Sequence, residues 1–243
     1  MTGPLVVIPT FNEASNIAAM VAAVMVSLPD ASILVVDDGS PDGTADIVET
    51  SAAAFSDGRV SVLRRSAKQG LGTAYVAGFR WGLGHGHDVV VQMDADFQHD
   101  PASLPDLVAA LDGGADMAIG SRYVAGGSVP AEWPRSRKAL SRLGNKYATT
   151  MLRLPVRDAT AGFRAHRATL LEQLDLETIS ADGYGFQIEL THRARLAGAR
   201  MVEVPIQFGE RTRGESKMSA RIVVEALWLV TRWSVRRRGQ RSG

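Results

Sequence analysis

The chain of 243 residues has no cysteine, which excludes disulfides, thiolate metal sites and cysteine nucleophiles and is compatible with a reducing compartment. It also lacks any run of the roughly 18 consecutive apolar residues that a membrane-spanning helix needs. The nearest approach, Ile222–Val230, is interrupted by Glu225. From Met1 to Pro9 there is a short apolar run without a basic flank, so this segment does not read as a signal peptide. Neither a Gly-x-Gly-x-x-Gly fingerprint nor a Walker lysine is present, which counts against a dehydrogenase or an ATPase. The five histidines show no metal-binding spacing. A large charge excess is missing too, the net charge being +1, but the charges are unevenly placed. From Arg211 onward nine Lys and Arg face two acidic residues, and the block from Trp133 to Arg157 is basic and free of acids. Both stretches suit anionic partners such as phosphates or an acidic membrane surface, whereas solvated helix faces would give the same composition without any partner. No nucleic-acid partner is expected.

What is present is a 45% hydrophobic content, enough for a full-sized core, distributed as alternating strands and helices. Strands are expected at Leu5–Ile8, Ile33–Val36, Val60–Leu63, Val89–Met93 and Met117–Ile119, with helices at Ile17–Leu28, Ala45–Phe55, Thr73–Leu83 and Leu104–Leu111. Apolar strands alternating with helices predict the α/β class and a parallel sheet covered on both faces. After Gly120 the rhythm changes to a basic helix over Arg135–Met151, another helix over Gly185–Leu196 and a late strand at Met201–Ile206. The whole reads as one domain of two halves that meet near residue 120.

In such sheets ligands bind beyond the carboxyl ends of the strands. Those positions are polar here. Asp94-Ala95-Asp96 leaves an apolar strand, and in extended geometry residues i and i+2 point the same way, so one hard cation could sit between the pair and a diphosphate. Asp96, Gln98 and a carboxylate one turn away would supply oxygen ligands, which favours Mg²⁺ or Mn²⁺ over softer metals. Asp37-Asp38-Gly39-Ser40 ends another strand, where a carboxylate can accept from a nucleobase or ribose, and Ser40 or Asp42 can also cap the helix that follows. Gly70 and Gly72 open a helix and would let backbone N–H groups approach a phosphate. His99 is expected beside the metal motif without ligating it.

Taken in order, Pro9–Glu13, Val35–Ser40, Gly70–Tyr75, Met93–Pro101, Gly120–Tyr123 and Arg211–Lys217 resemble the motifs of glycosyltransferase family 2. The last two are similar to its polyprenyl-phosphate (dolichyl-phosphate) mannose synthase branch. The resemblance spans residues 9 to 217. It implies a GT-A, Rossmann-like fold with a mostly parallel twisted sheet flanked by helices, and inverting transfer of mannose from GDP-mannose to a polyprenyl phosphate. By position, Pro9, Phe11, Glu13, Val36 and Asp38 would hold guanosine, and Asp94, Ala95, Asp96 and Gln98 would meet the diphosphate and its Mg²⁺ or Mn²⁺. Arg122 and Arg137 would approach the acceptor phosphate, while Arg211 and Lys217 would close over the donor. Residues 1–120 would then be the nucleotide-sugar half, 121–219 the acceptor side and 220–243 an amphipathic basic segment. The stretch Asp182–Phe186 matches the family only loosely. A glucosyltransferase using UDP-glucose is the nearest alternative, and a sugar nucleotidyltransferase a more distant one.

Arg221, Glu225, Arg232 and Arg236 fall within about 60° of one another at the helical 100° per residue, leaving the rest of Ile222–Val235 apolar. Such a helix either packs in the core or lies in a membrane interface. Trp228, Trp233 and the basic tail favour the interface, and hence a cytoplasmic protein peripherally attached to the cytoplasmic membrane face.

Overall fold

The structure, a computed structural model, describes residues 3–54, 58–179, 181, 183–210 and 220–239. Seven strands form one sheet: β1 Leu5–Thr10, β2 Ser32–Asp37, β3 Val60–Arg64, β4 Val89–Gln92, β5 Met117–Ser121, β6 Arg164–Arg167 and β7 Met201–Pro205. Their order across the sheet is β3-β2-β1-β4-β6-β5-β7, and all pairings are parallel except those of β6. The helices are α1 Ile17–Ser27, α2 Thr44–Ala54, α3 Leu71–Gly84, α4 Leu104–Asp112, α5 Arg135–Leu152, α6 Ala168–Gln173, α7 Gly183–Leu196 and α8 Ala220–Gly239.

The strands are apolar along their length because both faces of the sheet are covered. On β1, Leu5 and Val7 enter the core layer that also holds Tyr75 and Phe79 of α3 and Phe186 of α7, whereas Val6 and Ile8 enter the layer of α1 and α4. This is the two-residue alternation of a strand, with each fully buried Val, Leu or Ile contributing about 1.5–3 kcal/mol. Helix α3 sits unusually close to β1. A Cβ at Gly78 would lie 2.3 Å from Val7 Cγ1, and one at Gly82 would lie 2.8 Å from Leu5 Cδ2, so glycine four residues apart on one helix face permits the approach.

Strand β6 and helix α6 are absent from the sequence reading. Arg164-Ala165-His166-Arg167 has the composition of a surface segment, yet Arg164 and His166 are fully buried between β4 and β5. Apart from His166 Nδ1, which has no hydrogen-bond partner among the described residues, their polar atoms find partners in the tertiary structure. Arg164 donates to the carbonyls of Ala159, Ala161 and Gln187 and to Thr191 Oγ1, at 2.7 to 3.0 Å, and His166 Nε2 lies 2.7 Å from Gln92 Oε1.

Strand order reverses between β1 and β4, so the carboxyl ends of β1, β2 and β4 open onto one crevice. Among the described residues no helix is long and apolar enough to cross a membrane.

Candidate active site

That crevice is a cavity of about 380 Å³. On one side Pro9, Phe11 and Glu13 leave β1, with Asp38 following β2. The two neighbouring aspartates have different work. Asp37 is committed to the turn, accepting from Thr10 Oγ1 at 2.9 Å, from the Ser40 N–H at 2.9 Å and from Ser40 Oγ at 2.6 Å. Asp38 faces the cavity, 3.1 Å from Arg65 Nη1, and burial raises its pKa against the pull of that guanidinium. The Lys68 ammonium stands 4.5 Å above the Phe11 ring. Val36 is not among the residues that line the cavity, and its side chain is fully buried in the sheet core. Asp42 caps α2 as expected, accepting from the Thr44 N–H at 3.1 Å. Gly70 lines the cavity, but Gly72 is a packing glycine, because a Cβ there would lie 2.8 Å from the Ala181 carbonyl.

Asp94, Ala95, Asp96 and Gln98 all line the cavity floor. Strand β4 ends at Gln92, so a turn rather than extended chain presents the carboxylates. Phe97 takes a left-handed φ of 60°, and Asp96 Oδ1 accepts the Gln98 N–H at 3.1 Å. Tyr75 Oη donates to Asp94 Oδ1 at 2.7 Å from a fully buried ring. Burial, reinforced by the Asp94 charge, holds that phenol well above its ordinary pKa, so it stays a donor. The oxygens of Asp94, Asp96 and Gln98 are hard donors that fit Mg²⁺ or Mn²⁺. Among the described residues no group of three or more His, Cys, Asp or Glu forms a complete cage, so phosphate oxygens of a ligand would have to finish the coordination shell. Beside them burial pushes the His99 imidazole down to about 4, which keeps it neutral at pH 7.

Arg122 and Arg137 stand at the far end. Arg122 follows β5 and is gripped by Asp158: Nε to Oδ2 and Nη2 to Oδ1, both at 2.7 Å, with Nη2 also donating to Thr160 Oγ1 at 2.8 Å. Burial alone would raise the Asp158 carboxyl and lower the guanidinium, but the pairing outweighs both, so Asp158 titrates below its usual range and Arg122 above. Arg137, in the first turn of α5, lies with its guanidinium carbon 3.9 Å from the centre of the Trp133 ring.

Both arginines, with Trp133, Thr160 and Tyr184, also line a second cavity of about 510 Å³ between α5, α7 and α8. Its walls are Leu140, Leu143, Ile188, Ala226, Leu227 and Val230. The last helix packs along one face and leaves another open: Ala226, Leu229, Val230 and Ser234 are buried, while Leu227, Trp228 and Val235 are 40, 57 and 60% exposed. Tyr147 Oη ties α5 to α8 through Thr231 Oγ1 at 2.7 Å.

Arg211 and Lys217 lie outside the described residues, as do the side chains of Arg221 and Arg236. Asp158, Thr160, Gly162 and Gln187 belong to the site or hold it, and the sequence does not single them out, while Tyr184, from the stretch that matches the family only loosely, lines the cavity too. A signal exists for three: in Asp158-Ala159-Thr160-Ala161-Gly162 polar residues or glycine alternate with alanine just before a buried strand.

The sheet order and the carboxylate-floored crevice at its switch point define a GT-A nucleotide-sugar transferase. The chain belongs to glycosyl transferase family 2, whose profile matches residues 5–175. It is 50% identical over 231 residues to the undecaprenyl-phosphate mannosyltransferase of Micrococcus luteus, covering 95% of this chain and 93% of that protein. Identity to the polyprenol monophosphomannose synthase of Mycolicibacterium smegmatis is 49% over 238 residues, 98% of this chain and 89% of the other. Among solved structures, glucosyl-3-phosphoglycerate synthase from Mycobacterium tuberculosis, in complex with Mn²⁺, UDP-glucose and phosphoglyceric acid, matches with a TM-score of 0.69. That match covers 95% of this chain and 80% of the other at 21% identity, a likeness of fold.

Proposed function

We propose that this enzyme transfers mannose from GDP-mannose to a polyprenyl monophosphate, with inversion at the anomeric carbon. The observation that carries the reading is the position of Arg122 and Arg137, where a cavity floored by carboxylates meets a more apolar groove. A molecule that suits this junction has an anionic head and a hydrocarbon tail. The two mannosyltransferase relatives, named for polyprenyl-type acceptors, support the same substrate pair.

In this reading residues 1–120 hold the donor's nucleotide and diphosphate, with guanosine along Pro9, Phe11, Glu13 and Asp38, and residues 121–219 supply the acceptor side. A phosphate monoester is already anionic at neutral pH, so its oxygen attacks the anomeric carbon without a general base. The new C–O bond forms as the bond to the β-phosphate oxygen breaks, and GDP leaves with that electron pair. What the chain's residues contribute is positioning and charge stabilisation. Arg122, fixed by Asp158, and Arg137, stacked on Trp133, hold the acceptor phosphate in line and limit repulsion between two anions. Asp96 and Gln98 are the residues that would hold Mg²⁺ or Mn²⁺, and such an ion supplies neutralisation of the diphosphate charge. The exposed Leu227, Trp228 and Val235, with the basic tail, lay the groove against an anionic membrane surface on the cytoplasmic side.

The test is a donor panel of GDP-mannose, UDP-glucose and UDP-GlcNAc with a short polyprenyl phosphate. Transfer is expected from GDP-mannose, to be lost in EDTA, restored by Mg²⁺ or Mn²⁺, and abolished in a folded Asp96→Asn variant. Preferential transfer from a UDP-sugar would replace the donor. Full activity in EDTA would remove the metal.

A further inference from the structure

Gln187, on the first turns of α7, is only 2% exposed, and neither Oε1 nor Nε2 has a hydrogen-bond partner among the described residues. Its backbone, by contrast, is fixed: its carbonyl accepts from Arg164 Nη1 at 3.0 Å and from Thr191 Oγ1 at 2.8 Å. Buried amides left unpaired at both ends are rare because the lost hydration is not replaced. The neighbouring His99, 4% exposed, likewise has an unpartnered Nδ1. Both side chains line the carboxylate-floored cavity, and they converge on one spot. A Cβ built on Gly162 would stand 3.6 Å from Gln187 Nε2, 3.8 Å from His99 Cε1 and 3.5 Å from Asp94 Oδ2. Glycine there leaves a niche walled by three polar groups.

The chemistry of that niche selects its occupant. Gln187 offers donors through Nε2 and an acceptor through Oε1, so a ligand must both accept and donate. A phosphate oxygen accepts only, and the Asp94 carboxylate beside it repels anions. Hydroxyl groups do both. The niche also adjoins Asp96, where the diphosphate would lie, as a sugar joined to that diphosphate must.

We infer that Gln187 and His99, around Gly162, form the subsite that reads the hydroxyls of the donor's hexose. This rests on the donor being a nucleotide-sugar and goes beyond it by assigning the residues that recognise the sugar. Two substitutions probe it independently. Gln187→Leu keeps the bulk and removes the amide. Gly162→Ala places a methyl in the niche at ordinary contact distances, so the fold tolerates it.

Calorimetric titration of wild type and both variants with GDP and GDP-mannose, with UDP and UDP-glucose in parallel and circular dichroism as the folding control, decides the matter. The expected result is unchanged nucleotide affinity and a loss on the order of tenfold in nucleotide-sugar affinity for both variants. Equal weakening of nucleotide and nucleotide-sugar would make Gln187 a packing residue and overturn the inference. So would unchanged sugar-nucleotide binding, which would mean that water alone satisfies the niche. A wild type that binds the UDP pair instead rejects the donor proposed above, while the same ratio in the variants still decides the subsite. Binding of neither pair by the wild type would overturn both.

Discussion

Arg122 illustrates how a side chain can be committed to the fold and still serve a ligand. Nε and Nη2 are taken by Asp158 and Thr160, which leaves Nη1 without a hydrogen-bond partner among the described residues. Arg137 carries no ion pair among the described residues and is held by Trp133 alone. The two arginines therefore differ in what their loss should do. Arg122→Ala strands a fully buried carboxylate and should cost about 3–5 kcal/mol of stability. Arg137→Ala gives up a cation–π contact, about 0.5–2 kcal/mol. Both should lower kcat/KM for the lipid acceptor by on the order of a hundredfold, through lost charge-assisted contacts, with GDP-mannose affinity held. Urea denaturation and steady-state kinetics on the two variants separate the effects. Weakened donor binding with normal transfer would move either arginine to the donor side. Which of these roles was readable from sequence follows the chemistry: Arg122 stands in a family motif and Arg137 in an acid-free basic block, whereas the pairing of Asp158 with Arg122, 36 positions away, is made only by the fold.

At the scale of elements, the first half of the chain was legible, and in the second half α5, α7, β7 and α8 were legible while β6 and α6 were not. Strands β1, β2 and β4 are continuous apolar runs because helices cover both faces, so composition alone exposes them. Strand β6 is equally buried but carries Arg164 and His166, whose burial is tolerable only through partners on α7 and β4 that no local pattern predicts. Helix α8 was legible in its amphipathicity but not in its docking, since one face packs on α5 and α7 while Trp228 stays 57% exposed. An exposed indole, an adjoining Arg232 at 5.2 Å and a basic tail predict reversible binding to anionic vesicles. Each Lys or Arg near the surface should contribute about 1 kcal/mol that salt screens. Cosedimentation should fall as ionic strength rises, and Trp228→Ser should weaken it without changing the circular dichroism spectrum. Indifference of the full chain to anionic vesicles at low salt would mean that α8 serves only to wall the groove.

The whole molecule pools these buried polar groups into its response to pH. Burial pushes His166 down to about 3 and His99 to about 4, both from 6.5. A depressed histidine is neutral in the folded state while the unfolded chain takes up a proton below 6.5. Stability is therefore full above that pH and falls as pH drops toward the folded values. Each histidine should remove roughly 1 kcal/mol per pH unit in this window. Asp158 behaves differently: its pKa lies below the ordinary 3.8, so the stability it gives through Arg122 is lost only at lower pH. Between pH 6.5 and 5 the loss should come from histidine alone, on the order of 2 kcal/mol for each of the two. His166→Gln keeps a side-chain amide able to donate toward Gln92 and removes one titrating group. Urea midpoints measured at pH 7.5, 6 and 5 should then show about half the wild-type pH dependence in the variant, whatever its absolute stability. An unchanged slope would mean that His166 is protonated in the folded chain, where no described carboxylate pairs with it, and the buried β4–β6 contact would have to open in acid to admit water.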